Sequence, residues 1–163
     1  MGVCRERALI PAPPSTVWSF LIAPENMHRW GPLTQPVTDL HRSLQQGDRF
    51  TQQRKDFFRT YSPVLLVEEI IPNRSIRLRD LSSGKLQGVG IISIEPDPGN
   101  TATWIQETVL YSLGTSWLLN WIDRWLFNPI IQFVASYKTR KAFRRLQAIF
   151  EAQQGHAAQP ERV

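Results

Sequence analysis

The hydrophobic pattern of the chain changes period near residue 112. Before it, short runs with strand-like alternation are separated by clusters of Gly, Pro, Asn and Ser. After it, apolar residues recur every three or four positions. Strands are expected over 3–10, 34–42, 48–57, 61–71, 75–81, 86–95 and 101–111, with turns at Gln46-Gly47-Asp48, Pro72-Asn73, Ser82-Ser83-Gly84 and Pro96 through Asn100. Close spacing and short loops make this an antiparallel meander. Pro11 ends the first strand. Two short helical stretches follow it: 16–23, with Val17, Phe20 and Leu21 on one face, and 24–30, which ends at Gly31-Pro32.

The C-terminal third reads as two helices that meet at Asn128-Pro129, a pairing suited to an N-cap and a first helical position. The first helix, over 115–127, sets Trp117, Leu118, Trp121, Ile122, Trp125 and Leu126 on one arc, opposite Asn120, Asp123 and Arg124. The second runs from Pro129 to about Gln153, with Gly155 as its expected stop. Its main stripe is Ile131, Ala135, Thr139, Ala142, Phe143, Leu146, Ile149 and Phe150. Ile130, Phe133, Val134 and Tyr137 make a second apolar side in the first two turns, and Lys138, Arg140, Lys141, Arg144 and Arg145 then take over from them. The order is α+β: a curved antiparallel sheet of seven strands closed by one long helix.

Several segments match a known pattern. Ile10-x-Ala12-Pro13-Pro14-x-x-Val17-Trp18, then Pro24-Glu25 and Trp30, resemble the opening of the START-related helix-grip superfamily (SRPBCC). Gly47-Asp48, Val67-Glu68-Glu69 ahead of Pro72-Asn73-Arg74, the Gly88-to-Pro96 strand before Asn100-Thr101, and Leu113-Gly114 are similar to its polyketide cyclase/dehydrase-type branch. The resemblance spans residues 3–153. It implies a helix-grip fold, two short helices after the first strand, and an extra tryptophan-rich helix before the last one. For function it implies only a broad group of lipid carriers, hormone receptors, cyclases and oxygenase subunits.

Composition narrows the class further. The 163 residues fit one domain over 1–153, with 154–163 expected as a flexible tail. With 42% hydrophobic and 20% charged residues the chain is an ordinary globular protein. A single cysteine, Cys4, excludes an internal disulfide and is compatible with a reducing compartment. No run approaches the ~20 apolar residues of a membrane span, and the N-terminus lacks the apolar stretch of a signal peptide. A cytoplasmic location is the expectation. Five of the 19 basic residues sit at 138–145, and they account for the net charge of +5. Exposed aromatics do not interleave with them, so nucleic acid is not an expected partner.

Candidate chemistry is sparse. His28, His41 and His156 show no ligand-like spacing, so neither metal nor other cofactor is expected. No nucleophile elbow or phosphate loop is present. Asp56, Tyr61, Glu69, Arg79 and Glu107 are strand residues that would act if they faced a cavity. Alternation allows only one of Glu68 and Glu69 inside, and over 103–111 it leaves open whether Glu107 or its neighbours point inward.

The expected function is therefore binding of a hydrophobic small molecule (a lipid, isoprenoid or polyketide-like ligand) between the sheet and the last helix. Trp30, Tyr61, Arg79, Glu107, Phe133 and Tyr137 would contact it. Trp117, Trp121 and Trp125 would form a gate or a membrane contact. The alternatives are a metal-free cyclase/dehydratase-type enzyme using an inward carboxylate or tyrosine, and a peripheral membrane or partner-binding module. Monomer and homodimer both remain open.

Overall fold

The computed structural model describes residues 2–55, 60–82, 86–113 and 128–157. The expected tryptophan helix, with Trp117, Trp121 and Trp125, and the candidate Asp56 lie outside the described residues.

Strand β1 (Gly2–Ile10) is followed by helix α1 (Pro14–Leu21), a single 3-10 turn (Pro24–Asn26) and the short helix α2 (Met27–Trp30). Strands β2 (Arg49–Thr51), β3 (Arg54–Lys55), β4 (Thr60–Tyr61), β5 (Val64–Ile71), β6 (Ser75–Asp80), β7 (Leu86–Pro96) and β8 (Thr103–Leu113) come next. Helix α3 (Asn128–Ala157) follows them. The main sheet is antiparallel in the order β1-β8-β7-β6-β5-β2, and β3 and β4 form a separate ribbon. This is the helix-grip arrangement, a large sheet gripping one long helix, with two short helices filling one end.

Local chemistry explains most boundaries. Pro14 occupies the first turn of α1, where its missing N–H costs nothing, and Val17, Trp18, Phe20 and Leu21 turn inward. The turn before β2 contains Gly47 at φ +89, with the Asp48 carboxylate taking the Gln45 N–H at 2.8 Å. Asn73 and Asn100 take the left-handed conformation in the β5–β6 and β7–β8 hairpins, a role asparagine fills at low steric cost. Ile10, Val17, Leu21, Phe50, Val67, Ile76, Ile105 and Leu146 are sealed in the core. Phe20 and Phe150 meet edge to face at 5.3 Å, which joins α1 to the last turns of α3. Among the described residues no helix is long and apolar enough to cross a membrane.

Three expectations are corrected. Residues 34–42 form no strand: Pro36 removes a ladder donor, and the segment is tied to its neighbours by the adjacent Leu33–Arg54 bridge, the Thr34 bonds to Gln53 and the Asp39 carboxylate, which accepts the Thr51 N–H at 2.9 Å. It still buries Val37 in the core, so its apolar residues serve packing without pairing. The seven expected strands thus become six in the main sheet plus the β3–β4 ribbon among the described residues. Second, the expected strand 48–57 breaks at Gln52-Gln53, where the Gln52 N–H turns to Pro63 O. Third, α3 does not stop at Gly155. It continues to Ala157, and the Gln154 side chain donates to Pro11 O and holds the final turns against the end of β1.

A β-bulge between Val67 and Glu69 resolves the two-carboxylate question in an unexpected way. The extra residue shifts the alternation, so Val67 and then Ile70 face the core while both glutamates lie outside it. Glu68 is gripped on the outer face by Arg77 at 2.9 Å and by Arg79. Glu69 is exposed.

Candidate ligand cavity

Between the inner face of the sheet and α3 lies a cavity of about 200 Å³. The sheet contributes Ile76 and Leu78 from β6, Ile92 from β7, and Glu107 and Val109 from β8. Helix α3 covers these with Ala135, Thr139 and Ala142, while Met27, Trp30 and Leu33 close one end. The small side chains Ala135 and Ala142 explain why a space exists here at all. Two turns on, Leu146 and Phe150 fill the same interface completely.

The wall is mostly apolar, and apart from Lys138 its charged and hydrogen-bonding side chains form one connected chain. Thr139 Oγ1 donates to Glu107 Oε2 at 2.7 Å, across from α3 to β8. Arg54 lies near enough to attract the Glu107 carboxylate electrostatically. Arg54 in turn donates from Nε and Nη2 to Gln52 Oε1, at 3.0 and 2.5 Å. Gln52 ends the chain with its amide 3.6 Å from Met27 Sδ. Burial pushes the Glu107 carboxyl above the ordinary carboxylate range, against the opposing pull of the Thr139 hydrogen bond and the Arg54 charge. The Nε1 of Trp30 is also buried with no hydrogen-bond partner among the described residues, so the wall carries an unsatisfied donor.

A second, more open space of about 490 Å³ adjoins the cavity and shares Trp30, Gly31, Pro32, Leu33, Lys138 and Ala142 with it. Gly31 allows this junction to be tight: a Cβ there would stand 2.7 Å from Met27 O. Helix α3 places Lys138, Lys141 and Arg145 along this groove, one to two turns apart, and Lys55 faces them from β3. The basic run of the sequence is therefore divided. Arg140 turns the other way and binds Glu6 of β1 at 2.9 Å.

The residues singled out from sequence separate into two groups. Trp30 and Glu107 line the cavity, and Tyr137 lines the groove. Tyr61 stands opposite Arg54 in the β3–β4 ribbon but does not line the cavity. Arg79 lies on the outer face of β6 beside Glu68, because Ile76 and Leu78 take the inner positions of that strand. Phe133 lines neither space and is 74% exposed, and Tyr137 is 58% exposed, so neither is a buried cavity residue. Gln52 and Arg54 were missed, although the strand period carried the signal: Phe50, Gln52 and Arg54 alternate on one side, and Phe50 is core. Among the described residues no three histidine, cysteine or acidic side chains cluster as metal ligands would.

Comparison with known proteins supports the same architecture. No protein-family model and no curated protein sequence matches the chain. Solved structures do. A START superfamily protein from Mycobacterium smegmatis superposes with a TM-score of 0.71 at 13% identity, covering 94% of this chain and 99% of that one. A conserved protein from Geobacillus kaustophilus gives 0.68 at 14% identity over 92% and 95% of the two chains. XoxI from Bacillus cereus gives 0.67 at 11% identity over 94% and 99%. The chain therefore has the helix-grip fold of START-superfamily proteins over nearly its whole length. At these identities the likeness is one of fold.

Proposed function

We propose that this protein binds a hydrophobic small molecule between its sheet and α3, with one polar group of the ligand held by Glu107 and Arg54. The observation that carries the reading is the cavity itself. It is an apolar space at the helix–sheet interface, with a few convergent polar groups on one side and a carboxyl whose ionisation burial disfavours. An apolar wall rewards an apolar ligand by roughly 25 cal/mol per Å² removed from water. The Glu107 carboxyl accepts in either protonation state and donates when it holds a proton, so a hydroxyl on the ligand finds a partner there. The fold shared with a START superfamily protein supports the same class of role.

Native mass spectrometry of the freshly purified protein, followed by organic extraction, tests this reading. A stoichiometric apolar compound released from the protein is the expected result. An apo mass that stays unchanged after incubation with a panel of neutral amphiphiles would count against it.

One observation favours a second reading, a cyclase/dehydratase-type enzyme. A carboxyl that burial raises above the ordinary carboxylate range is suited to holding and passing a proton in an apolar cavity, and Arg54 would stabilise a developing oxyanion. The two readings diverge on Glu107→Gln: a carrier keeps its ligand, whereas an enzyme keeps the ligand and loses turnover. The membrane-contact reading of Trp117, Trp121 and Trp125 rests on residues outside those described.

A further inference from the structure

The cavity is too small for a whole lipid and adjoins a strongly basic groove. At about 200 Å³ it holds on the order of seven water volumes, which is a short apolar chain or one ring. Ligand pockets usually exceed roughly 300 Å³. The space next to it for a larger ligand is the groove, whose described lining carries Lys55, Lys138, Lys141 and Arg145 and no acid.

We infer that the ligand is a single-chain amphiphile with an anionic head, carboxylate or phosphate. Its tail lies in the cavity and its head lies among Lys55, Lys138, Lys141 and Arg145. This inference rests on the cavity-binding reading above and adds the class of ligand. Three observations converge on it. The two spaces share six wall residues and so adjoin, which places the groove within reach of a molecule seated in the cavity. The cations come from two elements, α3 and β3, that face each other across the groove, so the positive field is focused between them. Most of the cavity wall is apolar, so an apolar tail gains more there than a charged head, which keeps its hydration in the open groove. Arg145 also donates to Gly31 O at 3.4 Å and is thereby held at the rim between cavity and groove.

The test compares n-octyl phosphate, n-octanol and inorganic phosphate by isothermal titration. The proteins are the full chain and a Lys55→Glu/Lys141→Glu variant whose fold is checked by circular dichroism. Both lysines are exposed, so the charge reversals leave the core intact. Octyl phosphate should bind one to one and at least about tenfold more tightly than octanol at low salt. That advantage should shrink in about 0.5 M NaCl and collapse in the variant. Equal affinity for octanol and octyl phosphate, insensitive to salt and to the variant, would overturn the anionic-head inference while leaving the cavity reading intact. Inorganic phosphate binding as tightly as octyl phosphate would also overturn it, because the groove would then be a site for free anions. Binding to phosphatidylglycerol vesicles with no uptake of monomeric octyl phosphate would overturn it in favour of a membrane-facing surface. Failure of both octyl compounds would remove the cavity reading and the inference together.

Discussion

Thr139 and Glu107 lie 32 positions apart, and the threonine hydroxyl donates to the glutamate Oε2 at 2.7 Å. The pair bridges the long helix and the eighth strand at the floor of the cavity, in a wall that is otherwise nearly all apolar. A single hydrogen bond thus opposes the effect of burial on the Glu107 carboxyl and ties helix to sheet. It also sets what a ligand meets inside.

The first consequence is a pH-dependent stability. Unfolded Glu107 titrates near its ordinary value of 4.5, and in the folded protein burial raises it. Between those two values the folded state binds more protons than the unfolded state, so stability falls as pH rises through the window and levels off above it. Glu107→Gln removes this dependence. Thermal unfolding of both proteins across pH 4 to 9 should show the variant gaining on the wild type as pH increases. A constant gap would show that Glu107 ionises freely in the folded state.

Thr139→Val keeps the shape of the side chain and deletes the donor. With Glu107 ionised, the loss should cost about 1–3 kcal/mol, because a buried charge loses a partner. In the Glu107→Gln background the same change should cost less. A double-mutant cycle from urea unfolding at pH 8 reads the coupling directly, and purely additive effects would show that the contact is not energetically used.

On the outer face, Arg79→Ala should leave ligand binding unaltered, since the guanidinium serves Glu68 outside the cavity. Its stability cost should stay within about 1 kcal/mol, as for other half-exposed ion pairs. A binding defect in this variant would place Arg79 inside after all.

The helix is held by its lower half. Leu146→Ala, at a fully buried position, should destabilise the protein by about 2–5 kcal/mol in chemical denaturation. A cost under 1 kcal/mol would mean that the interface below the cavity is loosely filled.

Much of this architecture was legible because local rules and global packing agree. The turn chemistry around Gly47, Asn73 and Asn100 marked strand boundaries, and the stripe running from Thr139 to Phe150 marked the core face of α3. The failures have local causes. Pro36 interrupts pairing in a segment whose Val37 still packs in the core, so hydrophobicity mimicked a strand. The bulge at Glu68 breaks the period-two rule, which no single-sequence pattern announces. Arg79 was taken as inward although Ile76 and Leu78 already claim the inner face, and strict use of the alternation would have found Gln52 and Arg54 instead. Phe133 and Tyr137 depend on which flank of α3 meets other elements, and a helical wheel shows only that they share a side.

The central claim is that the space between sheet and helix binds an apolar ligand. Titration calorimetry of n-octanol into the wild type and into an Ala135→Phe variant tests it most directly, because Ala135 lines the cavity and a larger side chain there takes up its space. The account predicts one-to-one binding to the wild type with a negative heat-capacity change, the mark of buried apolar surface. In the variant it predicts a loss of at least about tenfold in affinity with the melting temperature retained. Equal binding by the two proteins would place the ligand elsewhere and contradict the claim.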